Sequence, residues 1–272
     1  MKTITLNSNQ LANFYSSGIL DSELYQNEYV IIKSAETGEL IGPYKRQESG
    51  YDCIKYRTLD SQAIGYLKPL NKDPYQIAYI DSLYTNQVTF ACGKAGSGKS
   101  LLGLGYAFQE LEKGHIDRIY LFANPMSAKG AARLGFLPGD LDEKLMGCQI
   151  GNILTTKLGS KIAVEKFISK EQLIIVPMSN SRGIDIPKHS FVYSTESQNM
   201  DVYLMKLLLQ RIPDEVQVII EGDVNQTDDA AFEGNKNGMT RAIEVLSGKD
   251  YVGVVELQNC YRGRLAADAE KM

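Results

Sequence analysis

Gly93-Lys94-Ala95-Gly96-Ser97-Gly98-Lys99-Ser100 packs glycines, a lysine and a terminal hydroxyl residue into one short run. The apolar segment Val88-Thr89-Phe90-Ala91-Cys92 precedes it, and the helix-like segment Leu101-Leu102-Gly103-Leu104 follows. Glycines let a backbone fold tightly enough for its N–H groups to converge on an anion, and a helix starting there adds the positive end of its dipole. In that strand–loop–helix setting the run reads as a phosphate loop, which predicts binding of a nucleoside triphosphate. Gly93, Lys94, Ala95, Gly96, Ser97 and Gly98 would wrap the phosphates, with Leu101 in the first helical turn. Lys99 would neutralise the β- and γ-phosphates, and the Ser100 hydroxyl would enter the shell of a Mg²⁺ ion.

Other residues have chemistry that suits such a loop. Glu196 ends the apolar run Phe191-Val192-Tyr193-Ser194-Thr195, where a general base would hold water in line with the γ-phosphate; it reads also as a charge at the start of a helix over 200–211. Gln226, after Gly222-Asp223, could reach the γ-phosphate or its water, while the same residues suit an ordinary turn. Gln76, in Asn71-Lys72-Asp73-Pro74-Tyr75-Gln76, carries a carboxamide that can donate to adenine N7 and accept from its amine, or is an exposed residue at a helix start. Arg262 holds a permanent charge and paired donors, as an arginine finger requires, or is a surface arginine before a last helix, Arg264 to Met272.

The elements that must position these residues follow from periodicity. Runs at 28–33, 39–42, 51–56 and 63–67, separated by turn signals such as Glu36-Thr37-Gly38-Glu39 and Glu48-Ser49-Gly50, predict a small antiparallel β-module. After Leu67-Lys68-Pro69 the pattern alternates. Strands are expected at 87–92, 117–123, 172–177, 190–195, 215–222 and 251–256, and helices at 99–113, within 142–169, at 200–211 and at 237–247. Such alternation predicts an α/β fold with a parallel sheet flanked by helices, and ligands at the carboxyl ends of its strands. The expected domains are residues 1–66 and 67–272.

Several peptides resemble one family. Leu134-Gly135-Phe136-Leu137-Pro138-Gly139-Asp140-Leu141 with Glu143-Lys144, Arg182-Gly183, Glu196-Ser197-Gln198-Asn199, Gly222-Asp223 with Gln226, and Asn259-Cys260-Tyr261-Arg262 are similar, in order and spacing, to the motifs of PhoH-like P-loop ATPases. The same words resemble the first RecA-like domain of superfamily-one helicases. The resemblance covers residues 68–270. It implies a RecA-like ATPase using ATP and Mg²⁺, a hexamer with Arg262 reaching a neighbouring subunit, and association with single-stranded RNA or DNA. This sequence departs from the family at Thr195, where the family places the aspartate that orders the Mg²⁺ shell, and at Asn124, where it usually has arginine. Asp223 could supply the missing carboxylate, or Glu196 could shift toward the metal and cease to act as base; restoring aspartate at 195 is expected to raise a slow turnover. A nucleotide-gated assembly protein with little hydrolysis is the alternative.

Composition narrows the classes further. At 272 residues with a formal net charge of −4, contact with nucleic acid must come from local basic clusters. Lys45-Arg46, Lys55-Tyr56-Arg57, Lys68 and Lys72, and the loop Ser127-Ala128-Lys129-Gly130, are the candidates. Cys53, Cys92, Cys148 and Cys260 form no Cys-x-x-Cys pair, which argues against a zinc site or a disulfide framework. Without a signal-like start or a spanning apolar stretch, the expectation is a cytoplasmic protein with no membrane partner.

Overall fold

The computed structural model describes residues 1–20, 22, 24–123, 149–224, 226 and 236–263. The Leu134–Leu141 motif, Asn124, the Ser127–Gly130 loop, Cys148 and the last helix expected from Arg264 lie outside them. The chain forms two compact units, one of residues 1–58, 68–99 and 245–272, the other of residues 59–67 and 100–244.

The first unit opens with β1 (Lys2–Leu6), α1 (Ser8–Ser17), β2 (Tyr29–Ser34), β3 (Leu40–Gln47) and β4 (Gly50–Cys53). β2, β3 and β4 form the expected antiparallel meander. β1 and α1 are additions that the turn spacing did not predict: β1 runs parallel to β2, and α1 is the crossover. Asn7 starts that helix through a capping box with Gln10, and Phe14 on its inner face meets Tyr44 edge-on at 5.0 Å. Leu6, Leu20, Val30 and Ile32 complete this core.

A second helix in this unit, α2 (Pro74–Thr85), begins with an Asp73 cap and a proline in its first turn. Residues Pro74 to Leu83 are all buried, so the helix has no polar face to mark its period. It packs on β2, β3 and the parallel pair β7 (Val88–Gly93) and β12 (Val252–Leu257). Its Asp81 carboxylate accepts from the Tyr29 hydroxyl at 2.9 Å and lies 3.8 Å from Lys45 Nζ. Lys45 also donates to Thr85 Oγ1 at 2.9 Å and sits over the Tyr29 ring. Lys45 is thereby corrected from a candidate nucleic-acid contact to a core residue. Burial pushes its ammonium below the ordinary lysine range, and the attraction of Asp81 only partly opposes this.

The second unit begins with the hairpin β5 (Leu59–Ser61) and β6 (Gly65–Leu67). The Glu112 carboxylate, at the end of α3 (Lys99–Glu112), caps the hairpin turn by accepting from Ser61 Oγ and from the amides of Gln62 and Ala63. β8 (Arg118–Ala123), β9 (Leu173–Pro177), β10 (Ser190–Thr195) and β11 (Gln217–Gly222) form a parallel ladder in the order β11-β10-β8-β9. Helices α4 (Gln149–Leu158), α5 (Lys161–Ser169), α6 (Val202–Leu209) and α7 (Gly238–Leu246) connect or follow the strands. Strands such as Ile119-Tyr120-Leu121-Phe122-Ala123 are buried along their length, the pattern of a parallel sheet covered on both faces. With β7 and β12 in the first unit, the parallel strands and their helices make the fold α/β. Among the described residues no helix is long and apolar enough to cross a membrane.

Lys45→Ala is expected to lower the unfolding free energy by about 3 kcal/mol, because it leaves Asp81 buried without its cation. Lys55→Ala, on an exposed residue, is expected to change it by less than about 0.5 kcal/mol. Urea midpoints of the two variants provide the check; equal midpoints would return Lys45 to the surface.

Candidate functional site: a phosphate loop and a buried carboxylate

In the first unit β7 delivers the chain at Gly93 into a loop whose glycines Gly93, Gly96 and Gly98 have φ of 140°, 86° and 95°. Left-handed and right-handed residues in succession build the concavities that bind anions, and α3 begins at the end of the loop with Lys99. The Lys99 ammonium donates to the carbonyl oxygens of Gly93 and, at 3.0 Å, Lys94. The Ser97 hydroxyl is buried and has no hydrogen-bond partner among the described residues. A glycine backbone of this conformation, a helix start and a lysine fit a triphosphate group.

Two segments hold the loop. Gln76 is only 2% exposed; its Oε1 accepts from the Leu70 amide at 2.8 Å and its Nε2 donates to the Ser97 carbonyl at 2.9 Å. Gln76 is therefore corrected from a reader of adenine to a strut under the loop, since its carboxamide is buried and bonded to the protein at both ends. On the other side, the segment after β12 lies along the loop. The Tyr261 amide donates to the Gly96 carbonyl at 2.9 Å, and Cys260 Sγ donates to the Ala95 carbonyl at 3.4 Å. The Tyr261 hydroxyl donates to Asp73 Oδ2 at 2.8 Å; burial, then that carboxylate, pushes its phenol well above the usual range.

Arg262 follows directly. A Cβ added to Gly96 would meet Arg262 Cγ at 2.5 Å and Cδ at 2.9 Å, so the arginine stem lies on the phosphate loop of its own chain while the residue stays exposed. The amide of Tyr261 on the Gly96 carbonyl holds the chain just before Arg262 against its own loop.

In the second unit Ser100, the residue after Lys99 in the first turn of α3, donates its hydroxyl to Glu221 Oε1 at 2.9 Å. Thr195 Oγ1 donates to the same oxygen at 2.8 Å, and the Tyr193 hydroxyl donates to Glu221 Oε2 at 2.5 Å. Glu221 is 3% exposed. Nothing in the sequence reading singled it out, because a glutamate at the end of Val218-Ile219-Ile220 looks like an ordinary strand end. The carboxylate that meets Ser100 is thus Glu221, while Asp223 lies two residues further on, past the end of β11.

Glu196, one residue past β10, adopts a left-handed backbone with φ 51° and ψ 38°, a conformation that costs a non-glycine residue of order 1 kcal/mol and concentrates at functional sites. Its Oε2 accepts from Gln198 Nε2 at 2.7 Å. Gln198 Oε1 in turn accepts from the Asp223 amide at 3.2 Å. Gly222 makes this possible, because a Cβ there would meet Gln198 Oε1 at 2.6 Å and its backbone nitrogen at 2.9 Å. Asp223 is itself buried. Gln226 is exposed, and its amide closes a turn onto the Asp223 carbonyl at 2.9 Å; no described contact brings its side chain to the other candidates. Among the described residues no group of three or more His, Cys, Asp or Glu side chains is placed to hold a metal ion by itself.

Comparison with known proteins bears on the family. The family model of the PhoH-like protein matches residues 68–272. A PhoH-like protein of Bacillus subtilis is 34% identical over 184 residues, 67% of this chain and 56% of that protein. Protein PhoH of Escherichia coli K12 is 30% identical over 203 residues, 72% of this chain and 55% of that protein. The chain thus spans about half the length of the curated relatives it matches. The helicase domain of Pyrococcus furiosus Hef, 14% identical, overlays with a TM-score of 0.35 over 67% of this chain and 37% of that one, too slight a likeness to bear on function. Given a family match over all of the chain from residue 68 onward, and a phosphate loop with a buried carboxylate at its serine, the chain belongs to the PhoH-like protein family.

Proposed function

We propose that this chain binds ATP with Mg²⁺ and hydrolyses it in response to a single-stranded RNA or DNA. The observation that carries the reading is the phosphate loop: glycines at φ 140°, 86° and 95° lead into the start of a 14-residue helix with Lys99 at its first position. In this reading the loop amides and the helix dipole hold the phosphates, and Lys99 leaves the carbonyls of Gly93 and Lys94 for the β- and γ-oxygens. Mg²⁺, when bound, neutralises charge developing on the phosphates. The Ser100 hydroxyl suits that ion, since it can donate its proton to Glu221 and still offer oxygen lone pairs.

Glu196 is the proposed base, placed one residue past the end of β10 and its carboxylate oriented by Gln198. Arg262, against Gly96, is proposed to stabilise transferred charge at its own chain's nucleotide. For nucleic acid the supporting features are narrower than the sequence suggested. Lys55, Tyr56, Lys68 and Lys72 are exposed on the first unit, and the exposed Arg57 stacks over the Tyr84 ring at 5.0 Å; exposed cations with aromatic neighbours suit phosphate contact and base stacking. Assembly into a homo-oligomer such as a hexamer is proposed from the family resemblance.

Lys99→Ala is expected to weaken ATP binding at least 100-fold in calorimetry, and unchanged affinity would remove the phosphate-loop reading. Glu196→Gln is expected to leave affinity within about threefold and to reduce steady-state hydrolysis at least 100-fold, consistent with loss of a general base. Hydrolysis measured with and without single-stranded RNA tests the proposed partner.

Arg262→Ala and Glu196→Gln chains, mixed in an oligomer shown by light scattering to exchange subunits, are expected to recover no turnover, because each Arg262 serves its own loop. Recovery would place Arg262 across a subunit interface, where both intact partners could meet again.

A further inference from the structure

We propose that Glu221 is the carboxylate of the magnesium shell, moved from the end of β10 to the end of β11; the inference rests on the reading that ATP and Mg²⁺ bind at this loop. The family resemblance puts an aspartate at 195, and this chain has threonine there. The structure shows what the threonine does. Its hydroxyl donates to Glu221 Oε1 at 2.8 Å, and the Ser100 hydroxyl donates to the same oxygen at 2.9 Å. A serine that coordinates a cation through its lone pairs must direct its proton elsewhere, and a carboxylate is the strongest acceptor for it. Glu221 is that acceptor.

The remaining carboxylate oxygen is held by the Tyr193 hydroxyl at 2.5 Å, so the group is fixed in rotation as well as in place. Tyr193 and Thr195 alternate along β10 and present their side chains to one face. Both act as positioning residues for a carboxylate on the neighbouring strand. The carboxylate beside Ser100 thus comes from β11 while β10 supplies a hydroxyl, and the negative charge there is kept. Magnesium bound with a nucleotide needs only one or two protein carboxylates, because phosphate oxygens and water fill the other positions. Aspartate introduced at 195 would set a second carboxylate against Glu221, where like charges cannot both ionise cheaply. The expectation that Thr195→Asp alone improves the site is therefore reversed.

Binding of a non-hydrolysable ATP analogue to the full chain, measured by calorimetry in EDTA and in Mn²⁺, tests this apart from turnover; electron paramagnetic resonance counts the bound Mn²⁺. The wild type is expected to bind in both conditions and more tightly with Mn²⁺. Glu221→Gln is expected to bind as well or better in EDTA, and to lose at least tenfold of the Mn²⁺-dependent gain together with the bound-Mn²⁺ signal. The double exchange Thr195→Asp/Glu221→Thr is expected to restore the gain, whereas Thr195→Asp alone is not. Asp223→Asn is expected to keep it. Retention of the full Mn²⁺-dependent gain by Glu221→Gln, or its loss in Asp223→Asn alone, would overturn the assignment. A wild type that binds no nucleotide in either condition would instead remove the phosphate-loop reading on which it stands.

Discussion

A phosphate loop must keep its amides convergent before any anion is present, and here two hydrogen bonds to its carbonyls set that shape. Gln76 Nε2 holds the Ser97 carbonyl from one side, and the Tyr261 amide holds the Gly96 carbonyl from the other. Each is worth about 1 kcal/mol in isolation, but they pin adjacent peptides and so restrict the soft torsions of the glycines. The supports are themselves tied together: Asp73 caps α2 through the Tyr75 amide and accepts the Tyr261 hydroxyl, while the Tyr75 hydroxyl donates to Gln258. The start of α2 and the segment after β12 are therefore one scaffold. Placement of the next residue, Arg262, on Gly96 is a consequence of that scaffold.

The carboxylate of Glu221 poses the opposite problem, because burying an ionised group costs several kcal/mol unless its oxygens are satisfied. Three hydroxyls do so, from Ser100, Tyr193 and Thr195. The ladder explains why two come from β10: Ser194 pairs with Ile220, and Glu221 lies one step further, level with Thr195. The same register makes the identity of residue 195 dependent on residue 221. A hydroxyl at 195 stabilises a carboxylate at 221, whereas a carboxylate at both would raise the cost of burying either.

The parallel core was legible because its strands are continuous apolar runs between turn signals. The expected 190–195 strand coincides with β10, and the other strands of the ladder agree to within two residues. Helix α2 was read no further than a helix start near Gln76 because burial on all sides erased its period, although Asp73-Pro74 is a start signal. β1 and α1 were missed since a short strand and a weakly apolar helix gain their stability from packing on β2 and Tyr44. At the site, residues whose place is set by a backbone motif were readable: Lys99 and Ser100 open α3 directly after the glycine loop. Roles set by what lies across the fold were not: Gln76 and Lys45 have unremarkable neighbours in sequence, and only tertiary structure buries them. Glu221 is the clearest instance, since its partners lie 26, 28 and 121 positions away along the chain.

Gln198 links the two chemical roles proposed for the second unit. Its amide nitrogen holds the Glu196 carboxylate, and its carbonyl oxygen takes the Asp223 amide just past β11. Its own backbone carbonyl is held by Asn237 Nδ2 at 2.7 Å, so the side chain works from a fixed base. Gly222, which separates Glu221 from Asp223, is the residue whose missing side chain admits Gln198. A displacement of the end of β11 would therefore move Glu221 directly and Glu196 through Gln198. The aim of the proposed base and the position of the proposed metal carboxylate are set by the same few residues of one strand, which is why a change in either group is expected to be felt by the other.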